Sequence, residues 1–523
     1  MLTVGEGPME YDYVIVGAGS AGCVLANRLS ADPGVSVALL EAGGNDDKLE
    51  IRMPAGFRTL FKTDYDWNYT TVKQVELIGR ELYWPRGRVL GGSSSINAQM
   101  WVRGCRLDYD QWGVPGWSYD EVLPYFHKAE RRVGSNAGGV YGTTGPLYIS
   151  ELRSPNVTTT AFLRACAELG LRRLAELNGP SNEGFCPTPV TQDRGRRWSS
   201  ADAYLRPALE RPNLTVLTDT TVERVVFDGR RATGVERRGG ARVTARREVI
   251  LAAGTIGSPH LLMRSGVGAA GELRDAGVEV VHDLPEVGRN LQDHLSSGMY
   301  VRSLQPVTLL KAESLVQLAR YLVLRSGMLT TNVGEAVAFV KTSQEEPEPD
   351  IELVFAPGPF IDHGLAAPAE HGLTLGVVLL QPESRGRVGL SGPSGREVAI
   401  DPGYLTREVD VRRMVAGLKT AKQVFGTAAM RPYAGPPMAP YWGPETDEEL
   451  ARWVRERAET LYHPVGTCRM GTDAASVVDP ELRVRGVEGL RVVDASIMPT
   501  LNRGHTHAPA VMIGEKGADL LLT

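Results

Sequence analysis

The sequence of 523 residues has few cysteines, few histidines and no long apolar run, and each shortage excludes a class of protein. Its cysteines are scattered and form no CxxC pair, which argues against a disulfide framework and a zinc knuckle. No apolar stretch reaches the roughly 18 residues that span a bilayer, and the first ten residues do not resemble a signal peptide. We therefore expect no membrane span and a reducing, cytoplasmic compartment. The cysteines are Cys23, Cys105, Cys166, Cys186 and Cys468.

An excess of charge of either sign is also missing, since the formal net charge is -5 and charged residues make up 23% of the chain. This balance offers no electrostatic attraction to nucleic acid or to anionic lipid, so neither is expected as a partner. The length itself exceeds a single hydrophobic core, because cores stop growing beyond roughly 250 to 300 residues. At least two domains are expected.

A glycine-rich segment near the N-terminus predicts a dinucleotide site. Residues 11–44 read YDYVIVGAGSAGCVLANRLSADPGVSVALLEAGG, with strands predicted over 13–16 and 35–40 and a helix over 23–29. The pattern Gly17-x-Gly19-x-x-Gly22 joins strand to helix, and Glu41 ends the second strand. Such glycines let a pyrophosphate approach a helix N-terminus, while the acid binds a ribose. A tight structural turn is the alternative, and the acid favours FAD or NAD over NADP.

A second glycine cluster, YWPRGRVLGGSSSIN over residues 83–97, has the small residues and backbone amides that cradle a phosphate or a flat ring. On composition alone, a flexible loop explains it equally well. Together with WVRG at 101–104, however, it resembles the first signature of the glucose-methanol-choline (GMC) flavin oxidoreductases. The segment GTIGSPHLLMRSGVG at 254–268 resembles the second signature, and further matches lie at 196–207, 287–294, 380–386 and from 463 onward. The resemblance covers nearly the whole chain.

The resemblance implies FAD as the cofactor and matches a set of residues to its binding site. Some family members carry a histidine, covalently bonded to the flavin, immediately before the position of Asn97. Here that position is Ile96, so FAD is predicted to bind without a covalent bond. The matched residues are Gly17, Gly19, Ser20, Ala21, Gly22, Glu41, Ala42, Trp67, Arg88, Val89, Gly91, Gly92, Ser93, Asn97, Met100, Val222, Ala253, Tyr462, Asp494, Ala495, His505, Thr506, His507 and Pro509.

Three of the nine histidines stand in segments that the resemblance assigns to the active site. His463 lies in LYHPVGTCRMG and matches the catalytic base of the family. His505 matches a second catalytic position, which relatives fill with His or Asn, and His507 matches a flavin contact. An imidazole suits the removal of a hydroxyl proton while hydride leaves for flavin N5, and a second donor holds the developing alkoxide. A metal site formed by the three histidines is the alternative, but the flavin signatures disfavour it, and no metal is expected.

The predicted fold class is α/β (α+β overall), with a Rossmann-like FAD-binding domain and a substrate domain built on an antiparallel sheet. The flavin motifs fall in separate blocks, which predicts a discontinuous FAD-binding domain over 1–155, 195–300 and 455–523. The substrate domain is then expected over 156–194 and 301–454, with strands over 351–355 and 373–380 and an amphipathic helix over 411–425. Tyr462, Trp101, Phe355 and Phe360 are the candidates for the substrate pocket, although aromatic residues are more often core residues.

The implied reaction is FAD-dependent oxidation of a primary alcohol to the aldehyde, with His463 as the base and hydride transfer to flavin N5. Aromatic, furanic or small aliphatic alcohols are the expected substrates, and dioxygen or a quinone-like compound is the expected electron acceptor. A choline dehydrogenase-like enzyme and a non-redox hydroxynitrile lyase on the same fold are the alternatives. A light-driven decarboxylase is disfavoured, because Cys468 and Arg469 follow the HPVGT turn as in ordinary members.

Overall fold

A computed structural model describes residues 9–366, 369–392 and 397–523, and the predicted α/β class is confirmed. The first eight residues of the predicted block 1–155 lie outside the described residues. Within the described ranges the α-helices are α1 (Ser20–Leu29), α2 (Leu49–Arg52), α3 (Arg106–Asp110), α4 (Tyr119–Ala129), α5 (Val157–Glu168), α6 (Gly254–Arg264), α7 (Ala270–Asp275), α8 (Leu315–Leu324), α9 (Glu408–Gly426), α10 (Asp447–Arg457) and α11 (His507–Leu522).

Two larger sheets contain the strands that position the site. In chain order these are β1 (Met9–Val16), β2 (Val37–Leu40), β3 (Gly184–Pro187), β4 (Leu214–Leu217), β5 (Val222–Asp228), β6 (Arg231–Arg237), β7 (Arg242–Leu251), β8 (Leu295–Ser303), β9 (Ala336–Val340), β10 (Ile351–Ala356), β11 (Gly372–Leu379), β12 (Ala434–Pro437), β13 (Glu459–Thr460) and β14 (Leu490–Val492). Shorter pairs join 69–70 to 83–84, 130–132 to 147–149, 192–193 to 196–197, 267–268 to 282–283, and 387–391 to 397–401.

The first sheet has the order β4-β2-β1-β7-β6-β5, with β14 beside the C-terminal half of β7. Its centre is parallel, while β5 and β6 are joined antiparallel at one edge. Strand β1 ends in YVIV and strand β2 reads VALL, and all of these residues are buried. Continuous apolar runs of this kind fit parallel strands that are covered on both faces. The predicted strand, turn and helix at 13–29 are therefore present, with the helix beginning at residue 20.

The second sheet is antiparallel, as predicted, with the order β12-β8-β11-β10-β9-β3 and with β13 paired to β8. Strands β8 and β13 lie in segments that were assigned to the FAD-binding domain, and the proposed boundary at residue 300 falls inside β8. The division into two domains stays a prediction. The antiparallel sheet helps to position the site, because the loop that follows β13 carries His463.

The amphipathic helix predicted over 411–425 is present as α9, which packs on β11 and β10 of the antiparallel sheet. Its inward residues include Met414, Val415, Leu418 and Ala421, which recur with helical spacing and are buried. Across the described ranges, no helix is both long enough and apolar enough to cross a membrane.

Candidate active site

A cavity of about 780 Å³ lies between the two sheets. Val16, Leu40 and Ala252 bring the carboxyl ends of β1, β2 and β7 to one wall, while β8, β10 and β11 form part of another. Ligands of parallel α/β sheets bind at the carboxyl ends of the strands, and pockets of about 300 to 1,000 Å³ hold cofactors or small molecules. The cavity therefore has the place and the size of a cofactor and substrate site.

Two glycines of this wall, Gly17 and Gly92, have no room for side chains, as a dinucleotide cradle requires. A Cβ on Gly17 would lie 2.6 Å from the carbonyl oxygen of Ala252, and one on Gly92 would lie 2.7 Å from Cα of Gly19. No side chain caps the N-terminus of α1, so its first amides remain available to a phosphate. His507 Nδ1 is buried without a hydrogen-bond partner in the described part of the chain. These features fit FAD.

Two acidic residues of the wall are held by backbone amides. Glu41 accepts hydrogen bonds from Ala18 N and Gly43 N, both at 2.9 Å, and burial raises its pKa to about 7. Asp494 accepts from Gly254 N at 2.9 Å, and burial raises its pKa as well. Both residues line the cavity, and both were matched to the cofactor by the family resemblance.

Most residues matched to the cofactor line this cavity. They are Gly17, Gly19, Ser20, Ala21, Glu41, Ala42, Trp67, Gly92, Ser93, Asn97, Met100, Val222, Ala253, Tyr462, Asp494, Ala495, His505, Thr506 and His507. Gly22, Arg88, Val89, Gly91 and Pro509 are not among the lining residues. Gly22 instead lets α1 pack tightly, since a Cβ there would lie 1.9 Å from Gly17 O. The guanidinium of Arg88 lies over the Trp67 ring, 5.6 Å from its centroid.

The four candidates for the substrate pocket divide into two pairs. Tyr462 and Phe360 line the cavity, whereas Trp101 and Phe355 are completely buried away from it. Phe355 stacks on Phe162 with ring centroids 4.9 Å apart, because side chains alternate along β10 and its neighbours at 354 and 356 face the cavity instead. Trp101 donates from Nε1 to Glu130 at 2.8 Å. These two rings therefore belong to the core.

Two aromatic residues that sequence reasoning missed complete the apolar wall. Phe57 and Phe61 line the cavity, with ring centroids 5.8 Å apart. Phe57 lies 6.2 Å from Phe360, and Phe61 lies 5.9 Å from Tyr462. Phe57 lies in a short 3-10 helix over 54–60 and Phe61 follows it directly; this segment carries no motif, so the sequence offered no signal for either residue. Together the four rings make a surface suited to an apolar or aromatic group.

The structure brings His463 and His505 together, with ring centroids 4.7 Å apart. The backbone of His463 is held by Asp293, whose carboxylate accepts from the His463 N–H at 2.7 Å and from Thr460 Oγ1 at 2.6 Å. Tyr404 OH donates to the same carboxylate. Burial raises the pKa of Asp293 to about 6, and these hydrogen bonds oppose that rise. Asp293 therefore fixes the loop that carries the predicted base.

A third histidine determines which nitrogen of His463 is available. His294 Nε2 lies 3.2 Å from the carbonyl oxygen of Leu380, an acceptor, so Nε2 must carry a proton. Burial, followed by the nearby His505, lowers the pKa of His294 to about 3, so its ring is neutral and Nδ1 is an acceptor. The Nδ1 of His463 lies 2.9 Å away and must donate to it. His463 Nε2 is then left without a proton.

The pKa of His463 lies well below its usual value, chiefly because of burial. The neighbouring His505 and Arg86 lower it further. A ring with this pKa is neutral near pH 7, and its unprotonated Nε2 has the form that a general base requires.

Glu352 is the partner of His505. Both carboxylate oxygens lie 3.1 Å from His505 Nε2, and the Glu352 side chain is completely buried. A buried carboxylate needs a hydrogen-bond donor or a compensating charge, and His505 Nε2 is the group that meets both of its oxygens. Glu352 lies on the same face of β10 as residues 354 and 356, which line the cavity. Its sequence, IELVFA, gave no functional signal.

His507 makes different contacts from those of His463 and His505. Its Nε2 lies 3.2 Å from Ser200 Oγ, and its ring meets the edge of Trp101 with centroids 5.4 Å apart. Burial lowers its pKa to about 3. It begins α11 and lines the cavity, as a contact to the cofactor would. Among the described residues, the group with metal-ligating geometry is Asp362, His363 and Glu459, which includes none of these three histidines.

Comparison with known families adds a second line of findings. A family model described as GMC oxidoreductase matches residues 11–296, and another of the same description matches residues 382–514. A GMC-type oxidoreductase of Mycobacterium bovis, named as uncharacterised, is 50% identical over 528 residues, covering 98% of this chain and 99% of that protein. An alcohol dehydrogenase (acceptor) of Pseudomonas putida is 43% identical over 527 residues, covering 98% and 96%. An oxygen-dependent choline dehydrogenase of Brucella ovis is 41% identical over 528 residues, with the same coverage.

Solved structures agree with these relatives. Pyridoxine 4-oxidase from Mesorbium loti superposes with a TM-score of 0.88 at 35% identity, covering 97% of this chain and 98% of that one. A formate oxidase from Aspergillus oryzae, whose structure was determined to study modification of its FAD, superposes with a TM-score of 0.91 at 27% identity, covering 99% of both chains. The similarity therefore extends over both sheets and the cavity between them.

Proposed function

Since this chain belongs to the GMC oxidoreductase family and is an FAD-dependent enzyme acting on CH–OH groups, we propose that it oxidises a primary alcohol to the aldehyde. The observation that carries the proposal is the hydrogen bond of 2.9 Å between Nδ1 of His463 and Nδ1 of His294. It leaves His463 with an unprotonated Nε2 in a cavity that fits both a dinucleotide and an apolar substrate. His463 is the proposed catalytic base.

In the proposed mechanism His463 Nε2 accepts the proton of the substrate hydroxyl. When bound, FAD supplies the two-electron acceptor for the hydride that leaves the alcohol carbon. Asp293 holds the backbone of His463, and His294 holds its ring, so the base is oriented before the alcohol arrives. Such acid–base assistance is typically worth about 10² to 10⁴ in rate. No covalent intermediate with the protein is required.

His505 has the second proposed role, which is to hold the alcohol oxygen. Its Nε2 is bound to Glu352, so Nδ1 is the ring nitrogen that remains for the substrate. A proton on both nitrogens, balanced by the Glu352 carboxylate, makes Nδ1 a donor to the developing alkoxide. Glu352 contacts His505 and is absent from the cavity lining, so we assign it as a positioning residue.

The wall of aromatic rings supports an alcohol with an aromatic, furanic or other apolar group. Phe57, Phe61, Phe360 and Tyr462 line the same cavity as His463. Rings at these separations bind a flat apolar group through their faces and edges. FAD is proposed to bind without a covalent bond, because residue 96 is an isoleucine.

Choline is the second candidate substrate, and one feature of the cavity favours it beyond the choline dehydrogenase relatives. Glu459 lines the cavity together with Tyr300 and Tyr462. A carboxylate beside aromatic rings is the combination that attracts a quaternary ammonium group. We therefore propose that the enzyme prefers apolar alcohols, and choline is the alternative substrate with which they are to be compared.

The test is anaerobic stopped-flow reduction of the FAD-loaded enzyme by a panel that includes benzyl alcohol, furfuryl alcohol, a short aliphatic alcohol and choline. Bleaching of the oxidised flavin band by an apolar alcohol supports the proposal, and faster bleaching by choline supports the second candidate. A flavin that no alcohol bleaches, in a protein that cleaves a cyanohydrin, would identify the non-redox lyase instead. Reoxidation by dioxygen and by a quinone then separates oxidase from dehydrogenase.

A further inference from the structure

The helix α8 exposes an apolar stripe to solvent. Its residues at 315, 316, 319, 322 and 323 follow the spacing of one helix face, and they are Leu, Val, Ala, Leu and Val. Relative exposure is 83% for Leu315, 74% for Val316, 48% for Leu322 and 79% for Val323. Single exposed apolar residues are common, but a contiguous stripe marks an interaction surface.

This helix is anchored to the protein by its opposite side. Tyr321 is completely buried against Ala312 and Leu329, and its hydroxyl donates to the carbonyl oxygen of Arg52 at 3.2 Å. Ser314 caps the N-terminus by accepting a hydrogen bond from Gln317 N. The outward stripe is therefore presented by a helix that is packed and capped.

Charged residues around the stripe are mostly basic. Lys311 and Arg320 lie on or beside α8, and Arg194 stands at the tip of a hairpin whose Gly195 packs against the carbonyl of Arg325. The Arg325 guanidinium is turned inward over the Tyr321 ring, 4.8 Å from its centroid, and is not part of this basic flank. Among the acids in these segments, Glu313 pairs with Arg58 and Asp193 lies 3.9 Å from Arg194. The net charge of -5 hides this local excess of positive charge.

We propose that α8 docks on an anionic lipid surface, with the stripe of 315, 316, 319, 322 and 323 in the boundary between headgroups and acyl chains. An apolar helix face with basic flanks is the arrangement of interfacial helices. The apolar side chains leave water on docking, and each basic residue near an anionic surface strengthens binding by about fivefold. The protein lies on the surface and does not span it. This revises the expectation, drawn from net charge alone, that no membrane surface is a partner.

A second copy of the chain fits this surface less well. A helix of ten residues is about 15 Å long and 10 Å wide, so its face covers roughly 150 Å², far below the roughly 800 Å² per partner of a stable interface. A two-fold dimer would also bring each basic cluster against its own copy, because such interfaces are self-complementary. An anionic lipid surface has the opposite charge.

The test is sedimentation of the FAD-loaded, full-length protein with vesicles of phosphatidylcholine and phosphatidylglycerol in equal amounts. We expect binding that weakens in high salt and is lost on pure phosphatidylcholine vesicles. A triple variant, Leu315→Gln, Val316→Gln and Val323→Gln, should bind at least about a hundredfold more weakly, since three apolar side chains no longer leave water. The double variant Val75→Gln and Ile78→Gln is the matched control, with apolar residues of 84% and 65% exposure elsewhere, and it should bind as the wild type does.

Three outcomes would overturn the proposal. The wild-type protein could fail to sediment with anionic vesicles, or the triple and control variants could bind equally. The wild type could also form a dimer by analytical ultracentrifugation that the triple variant does not form, without binding to vesicles, which would assign the stripe to a second copy.

Docking has a consequence for the electron acceptor, and only this consequence rests on the proposed function. The helix packs against the segment 52–55, and the same segment continues to Phe57 in the cavity wall. Docked enzyme should pass electrons faster to a quinone dissolved in the vesicles than the triple variant does, while both use a water-soluble quinone equally. Failure of alcohol oxidation would remove this second readout and leave vesicle binding as the direct measure.

Discussion

Replacing His294 by leucine should slow the reaction through His463 without disturbing the cofactor. The change removes the acceptor that lies 2.9 Å from His463 Nδ1, so the tautomer with an unprotonated Nε2 is no longer enforced. A buried donor left without its acceptor costs roughly 1 to 2 kcal/mol, which corresponds to a rate loss of about 5- to 30-fold. His294 does not line the cavity, so the affinity for the alcohol should change little.

The assay is anaerobic stopped-flow reduction of the flavin at increasing alcohol concentration, which separates the limiting rate from the substrate dissociation constant. His294→Asn is the rescuing variant, because its Oδ1 can occupy the place of the histidine Nδ1 and accept the same hydrogen bond. It should restore most of the rate. His371→Leu is the control, since that ring lies outside the cavity and bonds Thr308 Oγ1 at 2.7 Å.

Two results would refute this reasoning. A His294→Leu enzyme that reduces its flavin as fast as the wild type would show that the tautomer of His463 is not set by this contact. A variant that loses FAD or unfolds at a lower temperature, and whose rate His294→Asn fails to restore, would indicate a purely structural role.

Glu352→Gln should slow flavin reduction by roughly 10- to 100-fold, since the carboxylate no longer balances a proton on His505. In a His505→Asn background the same change should have little effect. Equal losses in both backgrounds would contradict the pairing of Glu352 with His505. Because burial holds the pKa of His463 well below its usual value, the base stays neutral as pH falls, so the limiting reduction rate should not decline as pH is lowered through about 6.5. A decline centred there would argue against this role. Gly92→Ala should weaken FAD binding at least about tenfold in a fluorescence titration, because the new Cβ would lie 2.7 Å from the backbone at the N-cap of α1. Gly138→Ala, with a similar positive φ but open surroundings, should bind FAD normally, and equal losses would implicate backbone strain instead.

Local motifs made much of the fold and part of the site predictable. The glycine pattern at 17–22 predicted the strand, the turn and the helix together, because Gly17 and Gly22 occupy positions with no room for a side chain. His463 was found in the same way, since its neighbours in the HPVGT turn form a recognisable segment. The parallel sheet also followed, because its buried strands are continuously apolar. The antiparallel sheet was expected from the family resemblance, and the strands predicted at 351–355 and 373–380 are both present in it.

Other features depend on contacts between distant residues, which no local pattern contains. Phe355 was assigned to the pocket, yet the parity of β10 turns it toward Phe162, and a sequence does not state which face of a buried strand meets the ligand. His294 ends the family match at 287–294 but had no predicted role, because its partner His463 lies 169 residues away. The stripe on α8 has a readable period, but periodicity alone does not show that its apolar face points to solvent.

The most direct test of the central claim is the rate of flavin reduction in His463→Ala, measured anaerobically with the alcohol that reduces the wild type fastest. The account predicts that FAD stays bound, because the glycine cradle is untouched, while the limiting rate falls at least about a hundredfold. A variant that keeps its flavin and reduces it at nearly the wild-type rate would show that His463 is not the base.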